Sequence, residues 1–298
     1  MHSIISYLLL MVPLSVIFNL PIFFVILKKQ YLTIPFGISI AAILGISLFV
    51  IYPFFWVVLC VFFFSSSMLS KMKVKEKFNT TIDFAKGSAK RDAMQVIANG
   101  LIPFLFALGY VLFELIPNTV ESDTILHNPI SPLFIGVFVA FAVHTADTWA
   151  TEIGILSKEP PRLVTNLRQI VDPGTSGGIT INGCVASIFG GVLIACVYLV
   201  AIVFSSPTSS VNGRVILILF LIIIGGFSGS IIDSIEGATI QGIYYCNHCK
   251  KETETNPHKR CGNKTKLCRG SQLINNDFVN MSSAFLVTCC ISLIISIF

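Results

Sequence analysis

Residues 215–240 read VILILFLIIIGGFSGSIIDSIEGATI, and no charge appears in the stretch 215–232. A run of that length approaches the ~20 residues that an α-helix needs to cross a bilayer. Working outward, seven further apolar runs stand between polar punctuation, at 3–27, 32–51, 53–69, 93–116, 132–156, 183–204 and 278–298. Backbone polar groups must be paired in hydrocarbon and these runs are too long for barrel strands, so the spans are helices. The predicted fold class is all-α, a polytopic transmembrane helix bundle of about eight spans.

The whole composition agrees. Only 12% of the 298 residues are charged and 54% are hydrophobic, whereas soluble domains run about 25% charged. Mean hydropathy is +0.83. A secreted disulfide scaffold, a disordered chain and an ordinary cytosolic enzyme are thereby excluded, and a net charge of +5 is too modest to suggest nucleic-acid binding. We read residues 1–298 as one integral membrane domain, with a Cys/His loop at 245–270 inside it. The first run lacks a basic leader and a small-residue cleavage motif, so it reads as a retained helix.

The cations assign the sides. Loops after the first, third, fifth and seventh spans hold two, seven, three and seven Lys or Arg, which is 19 of the 20, and Arg214 alone lies in an intervening loop. The positive-inside rule then puts those four loops in the cytoplasm and both termini outside.

Six of the 15 acidic residues fall within or at the edges of spans on the cytoplasmic half: Asp92, Asp147, Glu152, Asp233, Glu236 and Asp277. A carboxylate facing lipid costs about 2.5–3.5 kcal/mol even on the lenient insertion scale, so such groups face a bundle interior or a wet cavity. At 3.6 residues per turn His144, Asp147 and Thr151 share one helix face, with Thr148 and Glu152 on the adjoining one. His144 is the weakest member, since a lone helical histidine is more often a core residue than a ligand. In the seventh span Gly225 and Gly229 form one small-residue stripe, and Ser230, Ser234 and Ala238 another. Close packing explains these stripes but not the neighbouring Asp233 and Glu236.

Between spans five and six lies Asp172-Pro173-Gly174-Thr175-Ser176-Gly177-Gly178. Glycines let successive N–H groups converge, and a loop running into a helix N-terminus favours an anion. A Pro-Gly turn is also ordinary punctuation, and neither the Walker A nor the dinucleotide fingerprint is present. Lys90 and Arg91, with Asp92, Gln95 and Asn99 on the turns that follow, bring two cations to the mouth of span four. Carboxylates plus cations at one membrane depth are what Mg²⁺-dependent phosphoryl transfer requires. A common site needs Asp92, Asp147, Asp233 and Asp277 to converge on one cavity.

In the last loop Cys246, Cys249, His258 and Cys261 give C-x2-C-x8-H-x2-C, enough for one tetrahedral structural zinc, with His248 or Cys268 as substitute ligands. The other cysteines read as small apolar helix residues.

Several motifs together resemble the integral-membrane family of domain of unknown function 92. They are Lys90-Arg91-Asp92-x-x-Gln95-Val96-x-Ala98-Asn99-Gly100, Asp147-Thr148-Trp149-Ala150-x-Glu152-Ile153-Gly154, Gly174-Thr175-x-Gly177-Gly178, Asp233-Ser234-x-x-Gly237-Ala238-x-x-Gln241 and Asn275-Asn276-Asp277-x-Val279-Asn280. They run in order from Lys90 to the C-terminus, and the first three spans contribute little. The Cys/His loop is similar to one in microbial members that plant and animal branches usually lack. The activity characterised in the family is that of plant and cyanobacterial phytyl-phosphate kinase. The resemblance therefore implies an isoprenoid-phosphate kinase of the cell membrane, working at the cytoplasmic face on a prenyl monophosphate with a nucleoside triphosphate, CTP or ATP, as co-substrate.

On that reading Asp92, Asp147, Glu152, Asp233 and Asp277 are the catalytic candidates, with Asp147, Asp233 and Asp277 holding Mg²⁺. Lys90, Arg91, Gln95, Asn99, Arg168, Gly174, Thr175, Gly177, Gly178, Ser234, Gln241, Asn276 and Asn280 are the candidates for binding phosphate and substrate. Two other classes stay open: a transporter or lipid-phosphate flippase, and a cytidylyltransferase making a CDP-linked lipid. The sequence leaves the prenyl chain, the nucleotide and the oligomeric state undecided.

Overall fold

The structure is a computed structural model that describes residues 2–29, 31–32, 36–72, 91–117, 127–205 and 212–298. Its helices are α1 (His2–Lys29), α2 (Phe36–Ile51), α3 (Pro53–Lys71), α4 (Ala93–Tyr110, prolonged by a π-helical turn, Val111–Leu115), α5 (Pro132–Gly154), α6 (Ile181–Ser205), α7 (Gly213–Thr239) and α8 (Asn276–Ile297). Each expected span is found as a helix, mostly within a few residues of its expected bounds. Seven are long and apolar enough to cross a membrane. The exception is α2, whose 16 residues reach only about 24 Å at 1.5 Å per residue, short of a ~30 Å hydrocarbon core.

Helix α5 is the axis of the bundle. It packs against α3, α4, α6, α7 and α8, and its residues 134–146 are all buried. An apolar surface all round suits a helix with neighbours on every side. Its small residues admit them: a Cβ on Gly136 would lie 2.2 Å from the Phe106 ring of α4. On the opposite flank α5, α6 and α7 approach to backbone contact. A Cβ on Gly190 would lie 3.0 Å from Ala146 Cα, and one on Gly226 would lie 3.1 Å from the Ala142 carbonyl oxygen and 3.2 Å from Gly191 Cα. Small residues allow this where apolar side chains gain nothing by leaving lipid for one another.

The helix starts are locally specified. Ser131 accepts from Phe134 N–H at 3.0 Å with Pro132 following, Asn212 from Val215 N–H at 3.0 Å and Asn275 from Phe278 N–H at 2.9 Å. Each cap satisfies a donor that the helix leaves open.

Two antiparallel three-stranded sheets sit in the connections, beyond the all-helical expectation. The first, in order β2-β1-β3, joins β1 (Arg162–Leu163), β2 (Asn166–Ile170) and β3 (Gly178–Ile179); the second, in order β5-β4-β6, joins β4 (Ile243–Cys246), β5 (Lys251–Thr253) and β6 (Lys266–Arg269). Strands of two to five residues are too short to leave a periodic signature.

Replacing Gly226 by Leu drives a side chain into the backbone of two neighbouring helices and is expected to destabilise the bundle by about 1–3 kcal/mol. Thermal unfolding in detergent should report a lowered midpoint, and the exposed Phe220→Leu should leave it unchanged.

Candidate functional site

The C-terminal ends of α5 and α7 and the N-terminal end of α6 border an open polar cavity of about 720 Å³ counted out to solvent. Asp147 and Thr151 of α5, Ser230, Asp233 and Ser234 of α7, Gln241 and the whole loop from Pro173 to Thr180 line it. The loop turns twice, through Thr175 N–H to the Asp172 carbonyl at 3.0 Å and Gly178 N–H to the Thr175 carbonyl at 2.9 Å. Gly174 and Gly177 have φ of 91° and 83°, a region that favours glycine. Space compels Gly177 as well, because a Cβ there would lie 2.5 Å from Ala238 Cβ and 2.8 Å from the Ser234 carbonyl oxygen. The loop ends at Thr180, whose hydroxyl accepts from Gly183 N–H at 3.0 Å and caps α6. The expected glycine loop is therefore folded onto α7 and delivers its chain to a helix N-terminus, a combination suited to anions.

A second polar cavity shares Asp147 and Thr151 with the first and extends to Ser67, Ser70, Arg91, Gln95, Asn99, Thr148, Glu152, Asn276 and Asn280. Arg91 is pinned by its N–H on the Tyr31 carbonyl at 3.0 Å, and its guanidinium lies 5.1 Å and 5.8 Å from the ring centres of Phe62 and Phe63. Burial pulls its pKa down to about 10 against the opposing pull of Glu152, so it stays cationic at neutral pH. Ser70 donates to Glu152 Oε1 at 2.6 Å.

Arg91 and Asn99 also stand at one end of a third, apolar cavity of about 610 Å³ among α1, α2, α3 and α4, walled by residues such as Ile22, Phe23, Leu44, Leu59, Phe62 and Phe63. This cavity was invisible in the sequence, where the first three spans carry no motif. Ser67 and Ser70 were missed too, although a serine cluster closing an apolar helix was a signal. Gln241 Nε2 and Asn280 Oδ1, in the first and second cavities, are buried with no hydrogen-bond partner among the described residues. Such atoms suit a ligand, because an unmet buried polar group is costly.

Three expected residues lie elsewhere. Asp92 is exposed and forms a capping box with Gln95, accepting from its N–H at 2.9 Å while Asp92 N–H donates to Gln95 Oε1 at 3.3 Å. Its carboxylate thus serves the start of α4 and lines neither polar cavity. Asp277 lines neither as well, its acidic neighbours being Asp92 and Glu254. Arg168 is exposed on the edge strand β2, and Lys90 lies outside the described residues. Of the four aspartates expected to converge, Asp147 and Asp233 do. His144 is a buried core residue against Phe62, at 6.2 Å between ring centres, and Glu236 is tied to α8 by Ser282, which donates to it at 3.0 Å.

In the last connection the ligand atoms of Cys246, Cys249, His258 and Cys261 all lie within 4.8 Å of one another, the single such cluster among the described residues. The alternatives His248 and Cys268 are exposed and outside it. The backbone N–H of Asn263 draws the Cys261 thiol down to about 6 against the effect of burial, favouring the thiolate.

The chain is 31% identical to Protein PGR of Arabidopsis thaliana over 77% of each chain. It is 30% identical to the uncharacterized membrane protein MJ0933 of Methanocaldococcus jannaschii over 69% of this chain and 73% of that one. No solved structure matches. The model of the integral membrane protein family DUF92 matches residues 17–288. Apolar helices, site motifs and family match agree, and this multi-pass membrane protein belongs to the DUF92 family.

Proposed function

We propose that this protein is a Mg²⁺-dependent polyprenyl-phosphate kinase of the cell membrane, with its site at the cytoplasmic face. One observation carries the reading: the three cavities follow one another through shared residues. Asp147 and Thr151 border both polar cavities, and Arg91 and Asn99 border both the second polar cavity and the apolar one. The series runs from a glycine loop, through a carboxylate, to a cation and then to an apolar channel. It matches in order a nucleoside triphosphate, its metal, an acceptor phosphate and a prenyl tail.

In this scheme the 174–178 loop and the N-terminus of α6 hold the donor phosphates, and Gln241 and Ser234 complete their hydrogen bonds. Asp147 and Asp233 would hold the metal; two carboxylates with substrate phosphates are a usual Mg²⁺ donor set. Bound there, the ion would offset the negative charge of the phosphates. Arg91, Asn99 and Asn280 orient the prenyl monophosphate, and the apolar cavity holds its chain. A phosphate oxygen of the acceptor attacks the terminal phosphorus of the nucleotide, the β–γ bridging P–O bond breaks, and a nucleoside diphosphate leaves. Catalysis rests on positioning and electrostatics. Nineteen of 20 cations in alternate loops support a cytoplasmic site, where nucleotide is available.

Purified protein is expected to transfer label from γ-radiolabelled CTP or ATP to geranylgeranyl phosphate, giving the diphosphate without release of pyrophosphate. Failure with folded protein across nucleotides and prenyl lengths would end the proposal, and pyrophosphate release would point to a cytidylyltransferase. Asp147→Asn and Asp233→Asn should each lower kcat by about 10²-fold or more, the scale of losing one preorganised electrostatic group.

Gly177→Ala should push the loop off α7 and raise the KM for nucleotide about tenfold or more, a loss of roughly 1.4 kcal/mol of binding. Ala41→Phe narrows the apolar cavity and should raise the KM for long-chain acceptors while sparing short ones; steady-state assays over a chain-length series distinguish the two.

A further inference from the structure

The second sheet touches the glycine loop. Glu254, which directly follows β5, accepts a hydrogen bond from the Ser176 hydroxyl. Arg269, at the end of β6, donates to the Ala238 carbonyl at 2.9 Å and reaches the Ser176 carbonyl at 3.5 Å. Ser176 is only 5% exposed, so the loop is held from behind by Glu254, just past β5, and Arg269, at the end of β6. Those strands pair with β4, through Tyr244↔Thr253 on one side and Ile243↔Arg269 on the other.

The far end of the same sheet carries the Cys/His cluster. Cys246 closes β4, and Cys246 and His258 are fully buried. Cys246 Sγ lies 3.6 Å from Cys261 Sγ, and His258 Nδ1 lies 3.3 Å from the same sulfur. A tetrahedral zinc with Zn–S bonds of about 2.3 Å spaces two of its sulfurs by about 3.8 Å. Positive φ at Lys250 (52°) and Gly262 (70°) turns the chain just after Cys249 and just after Cys261, as two ligand-bearing turns facing one ion require. Glu254 sits between them in sequence, with Cys249 on one side and His258 on the other.

We propose that Cys246, Cys249, His258 and Cys261 bind a structural zinc ion, and that the closed module braces the 174–178 loop through Glu254 and Arg269. The second half rests on the reading of that loop as a phosphate cradle. Zinc fixes both ends of the segment that carries Glu254, so Ser176 meets a stationary carboxylate. Without the ion, the Cys246/Cys249 and His258/Cys261 turns separate, Glu254 gains freedom and the loop loosens. Glu254 and Arg269 are positioning residues, because neither lines the cavities.

The full-length protein in detergent is expected to carry about one zinc per chain by elemental analysis, in line with a four-ligand closed site. Cys246→Ser and Cys261→Ser should lose it and Cys268→Ser should keep it. Hydrogen exchange of amides in residues 173–179 reports the brace directly. Chelated wild-type protein and zinc-loaded Glu254→Ala, which lacks the acceptor, should both exchange there at least tenfold faster than zinc-loaded wild type. Absence of zinc from the wild type, or its retention by both ligand variants, overturns the metal site. Unchanged exchange in Glu254→Ala overturns the brace. Neither measurement uses nucleotide or prenyl phosphate, so failure of the kinase reading and failure of this one are separable.

Discussion

Backbone contact among α5, α6 and α7 is the constraint on which the rest of this structure depends. Gly190 meets Ala146, Gly226 meets Ala142 and Gly191, and Gly191 meets Ile223, each so closely that an added β-carbon would be crowded at 3.0–3.2 Å. In lipid, apolar side chains gain little by leaving hydrocarbon for each other, so association must come from tight contact and hydrogen bonds. The three helices can lie this close only because small residues fall at matching depths. Their polar ends are thereby drawn within reach: Asp147 at the end of α5, Asp233 at the end of α7 and the loop entering α6 come to face one cavity.

The site is accordingly made from helix ends and the chain between them. Helix C-termini supply the carboxylates and a helix N-terminus supplies partial positive charge, so opposite signs meet without a large soluble domain. Arg91 adds a full cation that stays charged despite burial, stacked near two phenylalanine rings and opposed by Glu152. The same arginine ends the apolar cavity, so a cation and an apolar wall lie side by side. The sheets in the connections fix loops that would otherwise hang from helix ends, the first by pairing β3 with β1 beside the glycine loop and the second by supporting that loop from behind.

Much of this was legible in residue order. Eight apolar segments followed from hydrocarbon's demand that backbone groups be paired, which makes span length and polarity readable one segment at a time, whereas the central place of the fifth came from packing. Asp147 and Asp233 stood out because charge in a span is expensive, and the glycine loop because Gly174 and Gly177 interrupt an otherwise ordinary connection. Asp92 stood out for the same reason as the other aspartates but is a helix cap, and the S/T/D-x-x-E/Q pattern with Gln95 was the signal that told against it. Arg168 was an arginine near a glycine loop in sequence, yet strand pairing turns it to solvent.

The sequence by itself determined that this chain is a membrane-embedded helical bundle with a polar site at one end, because composition and spacing act locally and need no partner. Packing alone sets which charges share a cavity, that an apolar cavity lies among the first four helices, and that the Cys/His sheet contacts the glycine loop. Those are contacts between segments distant in sequence, such as Ser176 with Glu254 and Arg269, 78 and 93 residues away. Nothing in the local pattern of either segment encodes which neighbour packing will bring to it.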